Sequence, residues 1–555
     1  MDKSRLELLR HQYEPRLPMA LRGIVDYTEG EATQSAGQQD EIQKMFPHTY
    51  GLPTIHFHQP QKGETDVAMP TVDYNIGVLL SGGQAPGGHN VITGLFDKMQ
   101  QLAPQAKLYG FLGGPDGLVK GQYRELTRDI INDYRNTGGF DMIGSGRTKL
   151  EEVTQFEQAR QVMESLNVKA LVIIGGDDSN TNACVLAEYY AAQGIDIRVV
   201  GCPKTIDGDL KNSVIETSFG FDTATKIYAE LVGNIERDCL STHKYWHFIR
   251  LMGRSASHIA LECALRCHPN ICLISEEVAA NDISLNDIVA QIADVVARRA
   301  AKGMNYGVVL VPEGLIEFVP AIGRLIAELN TMLANEGDTL RGLTQSERHD
   351  YLMQHLTADN AQTFATLPTD VAEQLSLERD PHGNVQVSLI ETEKLLSFMV
   401  AQQLKEMKEQ GRYSGKFSPQ HHFFGYEGRC GAPSNFDANY CYGLGMCAMM
   451  LIAHGKTGYM AVLNHLTDTP EEWLAGGAPI TMMMNMERRS GKMKPVIKKA
   501  LVDLEGAPFQ HLQRMREEWA DTTAYLYPGP IQYFGPSALT DAPTRTLIEE
   551  QTTNE

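Results

Sequence analysis

Residues 171–182 read LVIIGGDDSNTN, and this stretch decides the fold. Leu171-Val172-Ile173-Ile174 is a continuous apolar run, the pattern of a strand buried on both faces. Gly175 and Gly176 follow, where a backbone turns or approaches a ligand without Cβ interference. Asp177 and Asp178 come next, and Ser179, Asn180 and Thr181 offer N-caps for a helix through Ala183–Tyr190. Two carboxylates thus stand at the carboxyl end of a strand that feeds a helix, the place where open α/β sheets bind ligands. Side by side they repel unless a cation or a donor lies between them. Taken alone, the stretch also fits a solvated acidic turn, so its neighbours in the chain have to decide.

Upstream, Asn75–Leu80 (NIGVLL) is a strand running into SGGQAPGGHN at 81–90 and a helix from Val91 to Gln101. Strand, glycine-rich turn and helix make an anion cradle of backbone N–H groups. The turn is neither a Walker loop nor a Gly-x-Gly-x-x-Gly fingerprint. Gly455-Lys456-Thr457 has the form of a Walker tail, but Met450 stands where the first glycine belongs. Lys107–Leu112 is a second strand. Gly138–Arg147 (GGFDMIGSGR) closes on Arg147, a ligand clamp if phosphate loops lie beside it. A helix over Glu151–Asn167 leads into the opening stretch.

Downstream, the strand Ile197–Val200 delivers the loop PKTIDGDL at 203–210. Here Asp207 can serve as a general base and Lys204 as an electrostatic clamp, although Asp-Gly is also ordinary turn chemistry. His247–Leu251 precedes Met252-Gly253-Arg254. Arg254 is expected at a helix start, an unfavourable place for a cation unless an anion is near. Gly307–Val311 ends at Pro312-Glu313-Gly314, again an acid at a strand end. This alternation of strand and helix predicts a parallel sheet with right-handed crossovers.

The chain has 555 residues, 42% of them apolar and 21% charged, which implies a globular protein of more than one domain. Its formal net charge of −20 argues against non-specific binding to nucleic acid or to an anionic membrane. Nine cysteines are scattered without a Cys-x-x-Cys pair, as expected in a reducing cytoplasm. Cys263 and Cys267 are i,i+4 on an expected helix, the spacing of two small buried residues. The amino-terminal sequence MDKSRLELLRHQYEPRL is charged throughout, so no secretory signal is expected. The most apolar window, Tyr442–Leu463, is split by His454 and Lys456 and reads as helix, turn and strand with no membrane span.

Four parts are expected. Residues 1–70 form a polar, irregular N-terminal extension with a short helix at Arg5–His11 and with His56 and His58 on one strand face. Residues 71–215 form one lobe, completed by 435–490. Residues 216–434 form a second lobe that includes a helical insertion at 320–410. Residues 491–555 hold a helix over Ala507–Thr522 and a Pro/Gly-rich tail at 527–536, ending in a mobile acidic stretch.

In order along the chain, SGGQAPGG, GGDDS, PKTIDGD, MGR, PEG and GYEGR resemble the motifs of the phosphofructokinase family. The match covers 75–314 and 423–459. Within that family ATP users resemble one another in carrying glycine where this chain has Asp178 and Lys204. The combination here is similar to the pyrophosphate-dependent branch, and the length, extension, helical insertion and PGPIQ segment resemble its long subfamily.

The resemblance implies two Rossmann-like α/β lobes with parallel-type sheets and the active site in the cleft between them. It implies reversible, Mg²⁺-dependent phosphoryl transfer from pyrophosphate to the 1-hydroxyl of fructose 6-phosphate. Gly83, Arg147 and Lys204 would then face the donor, and Asp177 would hold the metal. Asp207 would be the base, with Lys204, Asp178 and Arg254 completing the catalytic set. Asp178 would repel a nucleotide's α-phosphate. Thr205, Ile206, Asp207, Met252, Gly253, Arg254, Glu313, Tyr426, Glu427, Gly428 and Arg429 would line the sugar phosphate. Short ATP users carry an arginine seven residues before the Met-Gly-Arg methionine, which reaches the 6-phosphate from a neighbouring subunit. This chain has Tyr245 there, preceded by Lys244, so a shared site in a cytoplasmic homodimer is expected, with Lys244 as the substitute. An ion pair between Lys204 and Asp178 is expected as well. An ATP-dependent enzyme and a non-catalytic regulatory subunit on the same fold are the alternatives. Asp178 and Lys204 argue against the first, and the presence of Asp177, Lys204, Asp207 and Arg254 against the second.

Overall fold

The computed structural model describes residues 3, 5–60, 70–376, 389–489, 492–531 and 541–552. Its centre is the strand Val168–Gly175, buried at seven of eight positions. That strand lies in an eleven-stranded sheet. Five parallel strands form the middle, in the order Tyr459–Asn464, Arg198–Thr205, Val168–Gly175, Asn75–Ser81 and Leu108–Phe111. Leu171 to Ile174 pair with Gly77 to Leu80 on one side and with Val199 to Cys202 on the other. Burial on both faces explains why these segments read as unbroken apolar runs.

The sheet edges are antiparallel. Tyr123–Glu125 closes one side. On the other, Leu474–Pro479, Pro53–His58 and Asp26–Ala32 follow Tyr459–Asn464 in turn. Asp26–Ala32 and Pro53–His58 are therefore strands of the sheet and not part of an irregular wrapping. His56 is exposed and His58 half-buried on this outer hairpin.

A second sheet has four parallel strands, in the order Ile271–Cys272, Gly307–Pro312, Trp246–Leu251 and Pro419–Phe424. Between Gly307–Pro312 and Pro419–Phe424 the chain runs through Pro320–Arg341, Gln345–His355, Ala358–Thr366, Thr369–Ser376 and Thr392–Glu409, all helical. This insertion has its own apolar cluster with the second sheet. It is tied down by Arg250, whose Nε lies 2.8 Å from Glu393 Oε2, both side chains nearly fully buried. The guanidinium also donates to Ile390 O and covers the Phe423 ring.

The two lobes share a core through Gly88–Leu102 and Asn435–Ala453. These helices pack backbone to backbone at two glycines. A Cβ on Gly94 would sit 2.1 Å from Tyr442 O, and one on Gly445 would sit 2.0 Å from Val91 O. Gly455, at φ +71°, ends the apolar helix before the strand Tyr459–Asn464, as the sequence predicts.

Several local expectations are corrected. The helix after the opening stretch runs Asp177–Ala192, so Ser179, Asn180 and Thr181 lie inside it and are not N-caps. Two aspartates in the first turn complement the helix dipole. The three polar side chains serve other bonds: Ser179 Oγ donates to Ser81 Oγ at 2.8 Å, and Asn180 Nδ2 to Gly175 O at 2.6 Å. The strand expected to end at Val200 continues through Thr205, so Lys204 and Thr205 are strand residues. The helix after Met252-Gly253-Arg254 starts only at His258, which leaves Arg254 in the preceding loop. At the carboxyl terminus Arg545–Thr552 is a docked helix, not a mobile stretch. Its Arg545 and Thr546 amides donate to the buried Glu262 carboxylate. The Pro/Gly-rich tail lies partly outside the described residues.

Among the described residues no helix is long and apolar enough to cross a membrane. All nine cysteines are free, seven of them buried.

Candidate active site

The carboxyl ends of both sheets face a single cavity. The first sheet contributes Ser81–Gly83, Gly176–Ser179, Lys204, Thr205, Asp207 and Asp209; the second contributes Arg254, Ser255 and Arg429. Each group follows directly from a strand end, which is where parallel sheets present ligand contacts. Arg147, Thr148 and Lys149 complete the wall, delivered by the two-residue strand Ser145–Gly146 pairing with Leu80 and Ser81.

Asp177 and Asp178 enter this cavity at the start of their helix. Asp177 Oδ2 is buried with no hydrogen-bond partner; the Lys499 ammonium stands 3.7 Å away. Asp178 Oδ1 lies 4.0 Å from Lys149 Nζ. Lys204 does not form the expected pair with Asp178. Its Nζ instead donates to Gly83 O at 2.9 Å, because the strand extends far enough to carry it under the 81–83 turn. It still lines the same cavity as Asp178. Burial, then the charge of Arg429, lowers the Lys204 ammonium to about 8, against the opposing pull of Asp207 and Asp177.

The carboxylate Asp207 has Oδ1 buried without a hydrogen-bond partner, 3.6 Å from Arg429 Nη2. Its backbone N–H is held by Thr205 Oγ1, and that hydroxyl donates to Asp209 Oδ1 at 3.0 Å. Asp209 is pushed up to about 6 by its burial and by the charge of Asp207.

Arg429 reaches in from the short helix Tyr426–Arg429. Its Nη1 donates to Gln84 O, and its Nε contacts Met252 Sδ. Gly83 is glycine because space is short: a Cβ there would lie 3.1 Å from Arg429 Nη1 and 3.6 Å from Arg147 Nη2. Behind Arg254, the Gly253 N–H donates to the buried Glu313 Oε2 at 3.2 Å. Gly428 packs against the Tyr228 ring.

The cavity therefore gathers Gly83, Arg147, Asp177, Asp178, Lys204, Thr205, Asp207, Arg254 and Arg429, with Met252, Gly253, Glu313 and Gly428 in contact around it. Five expected residues lie elsewhere. Ile206 is fully buried and turns its side chain into the main core, the natural place for an isoleucine after a strand. Tyr426 and Glu427 are exposed. Lys244 and Tyr245 lie before the amino end of Trp246–Leu251, the opposite end from Met252–Arg254, with Lys244 over the Tyr245 ring. Within one chain they do not reach the cavity. Sequence reasoning missed Lys149, Asp209, Ser255 and Lys499. Asp209 stood inside the quoted PKTIDGDL loop; the Lys498-Lys499 pair, beyond every motif, was the one hint of the last.

Among the described residues no cluster of three or more His, Cys, Asp or Glu side chains is arranged to hold a metal. The orphaned Asp177 oxygen suits an ion that takes few protein ligands and fills its shell with water and phosphate, as Mg²⁺ does.

Residues 75–452 match the phosphofructokinase family model, and the chain belongs to the phosphofructokinase family. Over 551 residues it is 61% identical to the pyrophosphate–fructose 6-phosphate 1-phosphotransferase of Porphyromonas gingivalis, covering 99% of this chain and 100% of that one. It is 52% identical to the enzyme of that name from Treponema pallidum, covering 99% and 98% of the two chains. It is also 52% identical to the beta 1 subunit of the Arabidopsis thaliana enzyme of that name, over 96% and 92%. The solved pyrophosphate-dependent phosphofructokinase of Marinobacter aquaeolei shares the fold at a TM-score of 0.52 and 16% identity, covering 81% of this chain and 93% of that one.

Proposed function

We propose that this chain catalyses reversible phosphoryl transfer from pyrophosphate to the 1-hydroxyl of D-fructose 6-phosphate, giving fructose 1,6-bisphosphate and phosphate. The observation that carries this reading is the donor side of the cavity. There a buried Lys204 and the helix-start carboxylate Asp178 occupy positions that ATP users of the family fill with glycine. The names of the near-full-length relatives support the same donor and acceptor.

The chemistry follows from the cavity. The 1-hydroxyl oxygen attacks the terminal phosphorus of pyrophosphate. The new O–P bond forms as the bridging P–O bond breaks, and inorganic phosphate leaves. Asp207, with its acceptor oxygen Oδ1 unengaged by hydrogen bonds, takes the hydroxyl proton. Lys204, Arg147 and the Gly83 backbone hold the donor. Such positioned charge is worth most where water is excluded, since phosphoryl transfer relies on placement and electrostatic stabilisation. Arg254 and Arg429 hold the sugar phosphate, with Thr205, Met252, Gly253 and Glu313 shaping its pocket. Asp177 would hold Mg²⁺, which would neutralise charge on the donor oxygens. Because both partners of the exchange are phosphate compounds of similar transfer potential, the reaction runs both ways.

Lys244 and Tyr245 serve the site of a second copy in a homodimer, since their own cavity is out of reach. The enzyme works in the cytoplasm, consistent with its nine free thiols. Initial rates with fructose 6-phosphate, Mg²⁺ and either pyrophosphate or ATP test the proposal. Turnover with pyrophosphate alone is expected; turnover with ATP alone would overturn it.

A further inference from the structure

We propose that Lys499 is a pyrophosphate-contacting residue, delivered to the donor site by a C-terminal strap that clasps both lobes; this rests on the donor reading above. The strap is residues 498–502. Its backbone is fixed on the first lobe, where Lys498 N donates to Met483 O at 2.9 Å and Ala500 N to Asp209 O at 2.7 Å. It is fixed on the second lobe by a bond between Ala500 O and His258 Nε2 at 3.0 Å and by Val502 N donating to Glu276 Oε1 at 3.0 Å. Between these anchors the Lys499 side chain turns into the cavity, about a quarter exposed.

Its ammonium is placed among groups from both lobes. Nζ donates to Ser255 Oγ at 2.7 Å, beside the sugar-phosphate residue Arg254. It lies 3.7 Å from Asp177 Oδ2 and 3.8 Å from Asp209 Oδ2. Both distances exceed those of a hydrogen-bonded ion pair, and the charge stands between the two carboxylates. The nearer one is the buried oxygen assigned to Mg²⁺. A cation held there would repel the ammonium and free it for a phosphate oxygen arriving in the cavity. The donor supplies that oxygen, because Lys499, Gly83 and Lys204 line the same cavity. A donor without a nucleoside is held by its phosphate oxygens alone, so each rigidly delivered cation counts.

Calorimetric titration of the full chain with methylenediphosphonate and Mg²⁺, a donor analogue with a non-transferable bridge, tests this. Lys499→Met is expected to weaken analogue binding about 10- to 100-fold, the value of one charge-assisted hydrogen bond. Binding of fructose 6-phosphate should stay within about twofold, and Lys499→Arg should recover part of the loss. Equal analogue binding by wild type and Lys499→Met overturns the proposal alone. Wild type that ignores the analogue overturns the donor reading and this proposal with it. A measurement on unmodified protein covers the case of a variant that does not fold. Saturating analogue should shield Lys499 from amine acetylation and leave the exposed Lys498 unprotected, as read by peptide mass spectrometry. Unchanged labelling of Lys499 overturns the proposal.

Discussion

Replacing Lys204 by methionine removes one ammonium at nearly constant shape, and the structure sets the size of the effect. Burial and the Arg429 charge bring this lysine from its ordinary 10.5 to about 8. Holding it charged at neutral pH therefore costs the folded protein about 3 kcal/mol. The return comes when a phosphate arrives: a unit charge at ~4 Å in an effective dielectric of ~20 gains about 4 kcal/mol. Lys204→Met should thus lower kcat/KM for pyrophosphate by about 3–4 kcal/mol, roughly 10²- to 10³-fold. It should not lower the melting temperature, because the burial cost goes with the charge and only the bond to Gly83 O is lost. The pH dependence has a defined sign. A lysine with a depressed folded value is a stability penalty below pH 8, and that penalty fades between about 8 and 10.5. Activity behaves oppositely, since the ammonium needed for the donor is lost as pH rises through about 8. Initial rates over varied pyrophosphate from pH 6 to 10 should show this alkaline limb in the wild type and not in Lys204→Arg, whose guanidinium stays charged. A Lys204→Met enzyme within threefold of wild type, or an unchanged limb in Lys204→Arg, would refute the reasoning.

Three further outcomes are expected. Asp178→Gly, which removes a carboxylate from the first helical turn, should strengthen competitive inhibition by ATP against pyrophosphate about tenfold; an unchanged inhibition constant would deny Asp178 its role as a filter. Gly94→Ala places a Cβ 2.1 Å from Tyr442 O and should cost about 1–3 kcal/mol or more, whereas Gly337→Ala, which meets nothing within 4 Å, should be neutral or stabilising. The midpoints of thermal unfolding compare the two. Glu393→Ala leaves Arg250 buried without its carboxylate and should destabilise by about 3 kcal/mol, read as a lower urea midpoint; a wild-type midpoint would mean that the insertion is held by packing alone.

The parallel centre of the fold was legible because each strand carries its own signal. Leu171–Ile174 and Asn75–Leu80 are apolar on both faces, and each ends in glycines that mark the turn. The outer hairpin was legible only where His56 and His58 alternate. Asp26–Ala32 (DYTEGEA) has mostly exposed side chains and no alternation, and its neighbour Pro53–His58 pairs with Leu474–Pro479, from the far end of the chain. Site residues carried by strand ends came into view with their strands, as Asp177, Asp207 and Arg254 did. Lys204 was assigned to the loop after Ile197–Val200, yet the strand continues to Thr205. Lys499 has no local signature beyond its pairing with Lys498. It acquires meaning only through the backbone bonds that lay its strap across Asp209 and Glu276, a long-range fact that no window of sequence holds. Ser179 and Asn180 were plausible caps in isolation, but the helix begins at Asp177, and their side chains bond to Ser81 and Gly175 instead.

The placement of strands along the chain also sets an order of assembly during synthesis. The four-stranded sheet uses only residues 246–424, an uninterrupted stretch. The eleven-stranded sheet draws its outer strands from residues 26–58 and from residues 459–479, so Pro53–His58 waits for Leu474–Pro479 to leave the ribosome. Because domains fold as units as the chain emerges, the lobe of the four-stranded sheet, encoded in the middle, closes before the eleven-stranded sheet is complete. Limited proteolysis of stalled nascent chains should then protect 246–424 at lengths where the hairpin of residues 26–58 is still cut.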